Sequence, residues 1–137
     1  MRAEAGTEFI PPRNSSFQLL KKLKSNKIVA IPLDQFTGPP IGVKTKFFGV
    51  ETGTAAGMAL MALRSGAMVV PAYTYRTPSG RHDIQVLPPI DVSSFASHED
   101  PSLAATEHFN RILEEIVRKH PDQWMWIHRR WKRFVVT

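Results

Sequence analysis

The chain has 137 residues, with 18 Lys and Arg against 12 Asp and Glu, which gives a formal net charge of +6. Leu, Ile, Val and Phe make up about a quarter of the residues, so one domain with a hydrophobic core is expected rather than a disordered chain. The sequence contains no cysteine, which excludes disulfide scaffolds, Cys-ligated zinc, iron–sulfur clusters and thiol catalysis.

Residues 1–8 have the position of a signal peptide and residues 55–73 have the hydropathy of a membrane span, but neither stretch has the other features of such a segment. Residues 1–8 are polar and no apolar run follows them, so no signal peptide is expected. Residues 55–73 are apolar, but Arg64 lies at their centre and Pro71 interrupts a helix. We therefore predict a buried helix, a turn and a buried strand there, and no transmembrane segment in this chain.

The first third of the chain predicts a helix followed by a strand. The helix is expected over about residues 15–25, with Phe17 facing the core and Asn26 ending it. Residues 28–33 (IVAIPL) form a short apolar run typical of a buried, parallel strand. The Asp34-Gln35 pair follows directly. Sites in open α/β sheets lie at the carboxyl ends of strands, so this pair is a candidate site.

The middle of the chain predicts further extended and helical segments. Residues 43–48 are expected to be extended, and residues 53–65 form a helix that is apolar on nearly all sides, ending at Gly66. Residues 67–75 read as a core strand. A short Gly-containing turn joins them to a returning strand over 83–87, so a β-hairpin is predicted.

The last long helix is expected to begin with Asp100 as N-cap and Pro101 in its first turn, and to end before Pro121. Apolar residues recur at helical spacing from Phe109 to Ile116 and form one core-facing stripe. The order helix, strand, helix, strand, strand, helix predicts an α/β sandwich, open on its N-terminal side, in a single partial domain.

Common catalytic signatures are absent from the sequence. It contains neither a G-x-S-x-G nucleophile elbow nor a G-x-x-x-x-G-K phosphate loop. Its five histidines form no H-x-x-x-H or H-E-x-x-H pair, so no zinc site is expected. These patterns assign no catalytic residue, no metal and no cofactor.

The C-terminal segment, residues 121–137, is dense in Trp, Arg and Lys, and three interpretations stay open from the residues alone. Interleaved aromatic and basic side chains bind nucleic acid through stacking and phosphate contacts. The same mixture suits a membrane interface, where Trp lies at headgroup depth and basic residues meet anionic lipid. In the third interpretation the Trp side chains pack on the core and only the charges are solvated.

Two stretches resemble one protein family. The first carries a DQ pair, a glycine loop, an FFG segment, an Ala-rich helix and a VVP block in this order: Asp34-Gln35, Gly42-Val43, Phe47-Phe48-Gly49, Thr54 with Gly57, Gly66-Ala67 and Val69-Val70-Pro71. The second, residues 121–132 (PDQWMWIHRRWK), is similar to a P-E-Q-W-x-W-x-H-R-R-W-K ending and differs only at Asp122. The chain thus resembles the lipid A biosynthesis acyltransferases, the lauroyl and myristoyl transferases of the lysophospholipid acyltransferase superfamily.

The resemblance implies transfer of a fatty acyl chain from an acyl-carrier-protein or CoA thioester to a hydroxyl of a lipid A precursor, in lipopolysaccharide biosynthesis. It implies a location at the cytoplasmic face of the bacterial inner membrane, and an H-x4-D/E catalytic dyad. No histidine of this sequence has an acidic residue five positions later. The chain is therefore expected to be the C-terminal half of a lysophospholipid-acyltransferase-like sandwich, without the N-terminal half, and inactive on its own.

The resemblance also implies substrate contacts. The DQ pair is expected to shape the acceptor site, although Asp34 ordering the following loop stays open as an alternative. The FFG segment is expected to line an acyl groove, with plain core packing as the alternative, and the arginines to contact acceptor phosphates. The residues expected to contact substrate are Arg13, Asp34, Gln35, Phe47, Phe48, Gly49, Pro71 and Arg76.

The C-terminal segment is then expected to meet the anionic membrane surface. The net positive charge would steer an acidic acyl carrier protein, and no nucleic acid partner is expected. The residues expected at the anionic surface are Trp124, Trp126, Arg129, Arg130, Trp131 and Lys132. Two alternatives stay open: a stand-alone basic module that binds anionic lipid or nucleic acid, and a truncated remnant.

Overall fold

The computed structural model describes residues 6–10 and 15–135 of the chain. Within that part helices and strands alternate, which confirms the predicted α/β class. The elements are α1 (Ser15–Lys24), β1 (Gly42–Phe47), β2 (Val50–Ala55), α2 (Gly57–Ser65), β3 (Ala72–Arg76), β4 (His82–Val86) and α3 (Pro101–Lys119), with short 3₁₀ helices at Val92–Phe95 and Pro121–Gln123.

The strands form two separate antiparallel hairpins. β1 pairs with β2, and Phe47 lies opposite Val50 where the chain turns. β3 pairs with β4 in the hairpin that the sequence predicts. β3 begins later than expected, because Val69 makes only an isolated bridge to Ile90 before it. The first hairpin packs against α3, whereas every residue of β4 is exposed.

The strand predicted over residues 28–33 is not formed. These residues make no backbone–backbone hydrogen bond with any described residue, and Ile28 is 98% exposed. A strand requires a neighbour that pairs with its peptide groups, and the described part of the chain supplies none at this place. The strand prediction is wrong for these residues, so Asp34 and Gln35 follow an unpaired segment instead of a strand end.

α1 has nearly the predicted span, but Phe17 on it is 76% exposed and does not face the core. Both short helices end as predicted, because Asn26 and Gly66 adopt left-handed conformations with φ of 56° and 72°. Within the described ranges, no helix is both long enough and apolar enough to cross a membrane.

The helix predicted over residues 53–65 begins only at Gly57, because the residues up to Ala55 belong to β2. The β-branched residues Thr52 and Thr54 favour a strand, and both are fully buried against their neighbours. The composition of this stretch predicts one helix, whereas the chain forms a buried strand followed by a shorter helix.

α3 begins as predicted, with Asp100 as its N-cap. The Asp100 carboxylate accepts hydrogen bonds from the Leu103 N–H and the Ser102 hydroxyl, both at 2.9 Å. These bonds, the Leu103 amide first, lower the pKa of Asp100. A lowered pKa means that the cap stabilises the fold at neutral pH, and that this contribution is lost as the pH falls through the lowered value.

The largest buried cluster lies where α2, α3 and the first 3₁₀ helix meet. Its small side chains allow the two helices to approach closely, and Phe109 of α3 fills the space between them. Through this cluster α3 packs against α2, and strand β1 of the first hairpin also lies against α3. The fully buried members of the cluster are Ala59, Ala62, Val92, Ala105 and Phe109.

Candidate functional site

An apolar cleft of about 470 Å³ lies between three walls. They are the unpaired segment 30–34, strand β3 with the residues just before it, and the C-terminal half of α3. Aliphatic side chains dominate the lining, among them Leu33, Val70, Ile112 and Ile116. None of these four side chains is fully covered, so the cleft is open to a ligand or to further polypeptide.

The cleft ends in a polar mouth formed by β3 and the residues after α3. The His120 ring stacks on Tyr75 with the ring centroids 4.2 Å apart. The Gln123 side chain pairs with the backbone of Arg76: it accepts from the Arg76 N–H at 2.7 Å and donates to the Arg76 carbonyl at 2.9 Å. A shallow groove that includes Asp122 continues from this mouth. A cationic residue therefore stands beside the end of an apolar cavity.

The structure brings some of the predicted substrate residues to this cleft. Asp34 and Pro71 line it, and Arg76 lies at its polar mouth. Gln35 is exposed and is not part of the lining. Arg13 lies outside the described residues, so its predicted contact with phosphate is not described. The cleft thus joins residues from the DQ pair and from the VVP block.

The FFG segment lies elsewhere, so it does not line this cleft as expected. Phe47 is fully buried and packs against Trp124 and Trp131, with ring centroids 5.9 Å and 5.7 Å away. Phe48 and Gly49 form the turn between β1 and β2, both with positive φ. Core packing, the alternative weighed for these aromatic residues, describes Phe47.

Arg130 was expected at an anionic surface, and this expectation is wrong because its side chain is 0% exposed. Its Nη1 donates to the Gly53 carbonyl at 2.6 Å, and its Nη2 donates to the Thr54 hydroxyl at 2.7 Å and the Asn110 amide oxygen at 3.3 Å. The guanidinium also lies over the Phe47 ring, 5.0 Å from the centroid. The C-terminal segment thus inserts a cation between β2 and α3.

Neutral acceptors hold this cation. Among the described residues, no carboxylate forms a salt bridge with Arg130, and its Nε has no acceptor. Burial lowers the pKa of the Arg130 guanidinium, and the charge of the Asp34 carboxylate opposes that shift. A buried charge costs stability unless its donors are satisfied, so the positions of the surrounding acceptors are tightly constrained.

The other aromatic residues of the segment divide between interior and solvent. Trp124 lines the cleft, and the Trp131 Nε1 donates to the Phe47 carbonyl at 2.9 Å, so both pack on protein rather than at an outer surface. Trp126 is 53% exposed. Arg129 and Lys132 are exposed as expected.

Two exposed residues of this segment were missed by the sequence reasoning. Met125 and Ile127 flank Trp126, and the Ile127 side chain is 89% exposed. We call these three residues the apolar tip. Single exposed apolar residues are ordinary on protein surfaces, but three in succession beside Arg129 form a distinct surface feature. The sequence feature that could have indicated the apolar tip is the run of three uncharged residues at 125–127 within an otherwise basic segment.

The loop after the DQ pair lies directly on the β1–β2 hairpin. The Thr37 N–H donates to the Gly53 carbonyl at 3.1 Å, and the Gly42 N–H donates to the Gly38 carbonyl at 2.8 Å. A Cβ atom on Gly53 would overlap the Thr37 carbonyl oxygen and crowd the Phe134 ring. Glycine is therefore required at 53 for close approach of two backbones.

Gly53→Ala is expected to lower the free energy of unfolding by about 1–3 kcal/mol, the range for overpacking, because the loop must move away. Gly57→Ala is the matched control, since a Cβ there meets no described atom within 4 Å. In α2 it should be neutral, or stabilising by up to about 1 kcal/mol. Urea unfolding of both variants measures the difference, and equal effects would contradict the contact.

A family model described as bacterial lipid A biosynthesis acyltransferase matches residues 1–133. The chain belongs to this family. The resemblance seen in the sequence is thereby confirmed, and some of the segments that carry it contribute residues to the cleft and to the surroundings of Arg130.

Two relatives of this chain illustrate its extent. It is 31% identical over 116 residues to the lipid A biosynthesis lauroyltransferase of Escherichia coli (strain K12), a match covering 83% of this chain and 37% of that protein. It is 30% identical over 95 residues to the lipid A biosynthesis acyltransferase of Haemophilus influenzae, covering 69% of this chain and 28% of that protein. The chain spans about a third of the length of these relatives.

Proposed function

We propose that this chain forms the substrate-binding side of an acyltransferase that moves a fatty acyl chain from an acyl-carrier-protein or CoA thioester to a hydroxyl of a lipid A precursor. The observation that carries the proposal is the apolar cleft with a cationic mouth, in a chain of the lipid A acyltransferase family. Its volume falls in the range of roughly 300–1,000 Å³ that ligand pockets occupy.

The lining of the cleft suits a hydrocarbon chain. Leu33 on one wall faces a space bounded by Val70 and by Ile112 and Ile116 of α3, and these side chains offer contact without hydrogen-bonding demands. Each methylene that leaves water for such a site gains about 0.8 kcal/mol. The affinity of the cleft for an acyl chain would therefore depend mainly on how many methylene groups the cleft buries.

The polar mouth suits the head of the acceptor. Arg76 presents a guanidinium whose planar donors fit phosphate oxygens, and its backbone is fixed by Gln123. Asp34 lies on the cleft wall and provides a carboxylate that accepts hydrogen bonds from sugar hydroxyls. An amphiphile with an apolar tail and an anionic, hydroxyl-bearing head matches both ends.

The reaction itself needs a base that this sequence does not contain in the family's H-x4-D/E form. The acceptor oxygen attacks the thioester carbonyl carbon, the carbon–sulfur bond breaks, and the thiol leaves with a proton while the base removes the hydroxyl proton. We assign substrate binding to the residues of the cleft, and proton transfer to the family's dyad.

The proposal is tested in a chimera in which this chain replaces the matching segment of the Escherichia coli lauroyltransferase. The chimera should transfer acyl groups to a lipid A precursor, and Asp34→Asn should lower kcat/KM at least tenfold, about 1.4 kcal/mol in transition-state binding. Asp83→Asn, at an exposed carboxylate of β4, is the control. A folded chimera whose activity ignores both substitutions would overturn the role of Asp34.

The apolar tip supports a second part of the proposal, contact with an anionic membrane such as the cytoplasmic face of the inner membrane. Trp126 and Ile127 are exposed, and Arg129 and Lys132 lie close in sequence with exposed charges. Apolar side chains that enter the interface and cations that meet lipid headgroups act together at such surfaces.

Replacement of Trp126 and Ile127 together by Ser should weaken binding to phosphatidylglycerol vesicles at least tenfold, because each large apolar side chain gains about 1.5–3 kcal/mol on burial. Ile28→Ser, at a highly exposed apolar residue of another segment, is the control. Vesicle co-sedimentation measures both. Equal loss in both variants, or binding to duplex DNA in place of vesicles, would contradict a membrane role of the tip.

A further inference from the structure

The C-terminal segment contacts the loop that follows the DQ pair. The His128 Nε2 accepts a hydrogen bond from the Phe36 N–H at 3.2 Å, between residues 92 positions apart. The Lys132 Nζ lies over the Phe36 ring, 5.5 Å from its centroid. These contacts join the end of the chain to the residues next to Asp34.

We infer that His128, Arg130 and Lys132 form a clamp that sets the position of Asp34 on the cleft wall, with His128 as a positioning residue. The role of Asp34 in binding the acceptor rests on the proposed function, whereas the clamp itself rests on the contacts. The shared ending of the family motif would then serve the acceptor site from within rather than a surface from outside.

The clamp and the hairpin converge on one atom. The Gly53 carbonyl accepts from the Thr37 N–H at 3.1 Å and from the Arg130 Nη1 at 2.6 Å. The loop is thereby tied to the same carbonyl that holds the buried guanidinium. Phe36 and Thr37, two successive residues, are fixed by the clamp and by β2 respectively. Their peptide groups leave the preceding Asp34 little freedom of position.

The polarity of the His128 contact fixes its chemical form. A backbone N–H can only donate, so the Nε2 atom must carry a lone pair, and the ring must be the neutral tautomer with its proton on Nδ1. Neither an imidazolium nor the Nε2–H tautomer can make this bond. The tautomer is therefore a direct signature of the clamp.

The exposure pattern supports a clamp rather than a surface histidine. His128 is half-buried and Arg130 fully buried, while Arg129 between them is exposed, so the side chains of His128 and Arg130 point into the molecule. The Arg130 carbonyl is also bonded, accepting from the Thr52 hydroxyl at 2.5 Å. Backbone and side chains of this short stretch are thus held at once, as positioning requires.

The first test is nuclear magnetic resonance on the 15.4-kDa chain, which needs no activity. Long-range nitrogen correlation spectra should show His128 as the Nδ1–H tautomer, with a scalar coupling across the hydrogen bond between the Phe36 nitrogen and the His128 Nε2. His128→Gln should keep the Phe36 amide slow to exchange, since the Gln Oε1 can accept, and His128→Leu should speed exchange at least tenfold. An Nε2–H tautomer, or unchanged exchange in His128→Leu, would overturn the clamp.

The second test separates positioning from mere stability, in the chimera with the Escherichia coli enzyme. His128→Leu should raise the KM for the lipid A precursor about tenfold at unchanged KM for the acyl donor, and His128→Gln should restore it. His98→Leu, at an exposed histidine, is the control. Equal effects on both substrates would overturn positioning of the acceptor loop. If the chimera is inactive while the resonance spectra of the chain show the hydrogen bond between Phe36 and His128, the proposed function alone would be overturned.

Discussion

Replacement of Arg130 by Met is expected to lower the free energy of unfolding by about 3 kcal/mol, whereas Arg129→Met should change it by less than about 0.5 kcal/mol. The two residues are adjacent, have the same side chain, and differ in that only Arg130 is buried. The comparison therefore isolates the effect of inserting the guanidinium between β2 and α3.

The large effect follows from the hydrogen bonds that the substitution removes. The Gly53 carbonyl, the Thr54 hydroxyl and the Asn110 amide oxygen all accept from Arg130, and a hydrogen bond to a charged group contributes about 1.5–3 kcal/mol. Part of this is offset because the buried charge is removed as well, so the net loss is smaller than the sum.

Urea unfolding monitored by circular dichroism measures both variants, and Arg130→Lys adds a further check. The Lys ammonium keeps the charge but cannot reproduce the planar fork, so it should recover only part of the stability. Equal midpoints for Arg129→Met and Arg130→Met would contradict a structural role of the buried guanidinium.

Ala72→Trp is expected to weaken the binding of dodecanoate by roughly thirty-fold. Ala72 lines the cleft on β3, and an indole there would exclude two to three methylenes at about 0.8 kcal/mol each, a loss of about 2 kcal/mol. Trp is well tolerated in strands, so the hairpin should survive the change.

Isothermal titration calorimetry below the micelle concentration measures this effect. Ile84→Trp is the matched control, because Ile84 lies on the paired strand β4, is exposed and does not line the cleft. Dodecanoate binding that is equal in both variants would place the acyl site elsewhere. No binding by the unchanged chain would mean that the cleft receives polypeptide rather than an acyl chain.

The elements predicted correctly are those that local rules determine. The cap of α3 depends on Asp100 and the residues just after it, and the end of α2 on a glycine at 66. The β3–β4 hairpin needs only two short strands joined by a turn that contains Gly80. These short-range interactions depend on a few consecutive residues, so they can be predicted from a single sequence.

The errors arise where partners far along the chain decide. The run at 28–33 has strand composition but no neighbour to pair with among the described residues. The residues up to Ala55 look like the start of the following helix, yet pairing with β1 makes them a strand. Neither outcome can be judged from the segment alone, since the residues that decide it lie elsewhere in the chain.

The site was predictable in part. The resemblance pointed to Asp34, Pro71 and Arg76, and all three lie at the cleft or its mouth. It could not reveal that Arg130 turns inward, because a basic residue among other basic residues looks like surface. The available signal is Asn110, a polar residue next to the apolar Phe109 on α3. Its amide oxygen requires a hydrogen-bond donor when it is buried, and Arg130 is that donor.

The composition of the chain also does not predict which buried residues accept hydrogen bonds from Arg130. Thr52 and Thr54 alternate along β2, so both can point toward the interior, and Thr45 lies on the paired strand with its hydroxyl 2.8 Å from that of Thr54. Three threonines in two short strands are unremarkable as a sequence. Thr52 and Thr54 become a binding site for a guanidinium only when the end of the chain folds back onto them.

The measurement that tests the central claim most directly is photolabelling of the chain with a diazirine-bearing dodecanoate, followed by peptide mass spectrometry. An acyl chain in the cleft predicts labels on peptides that contain Leu33, Val70 and Ile116, and loss of those labels in Ala72→Trp but not in Ile84→Trp. Labels confined to the apolar tip, residues 125–127, would contradict the claim that this cleft binds the acyl chain.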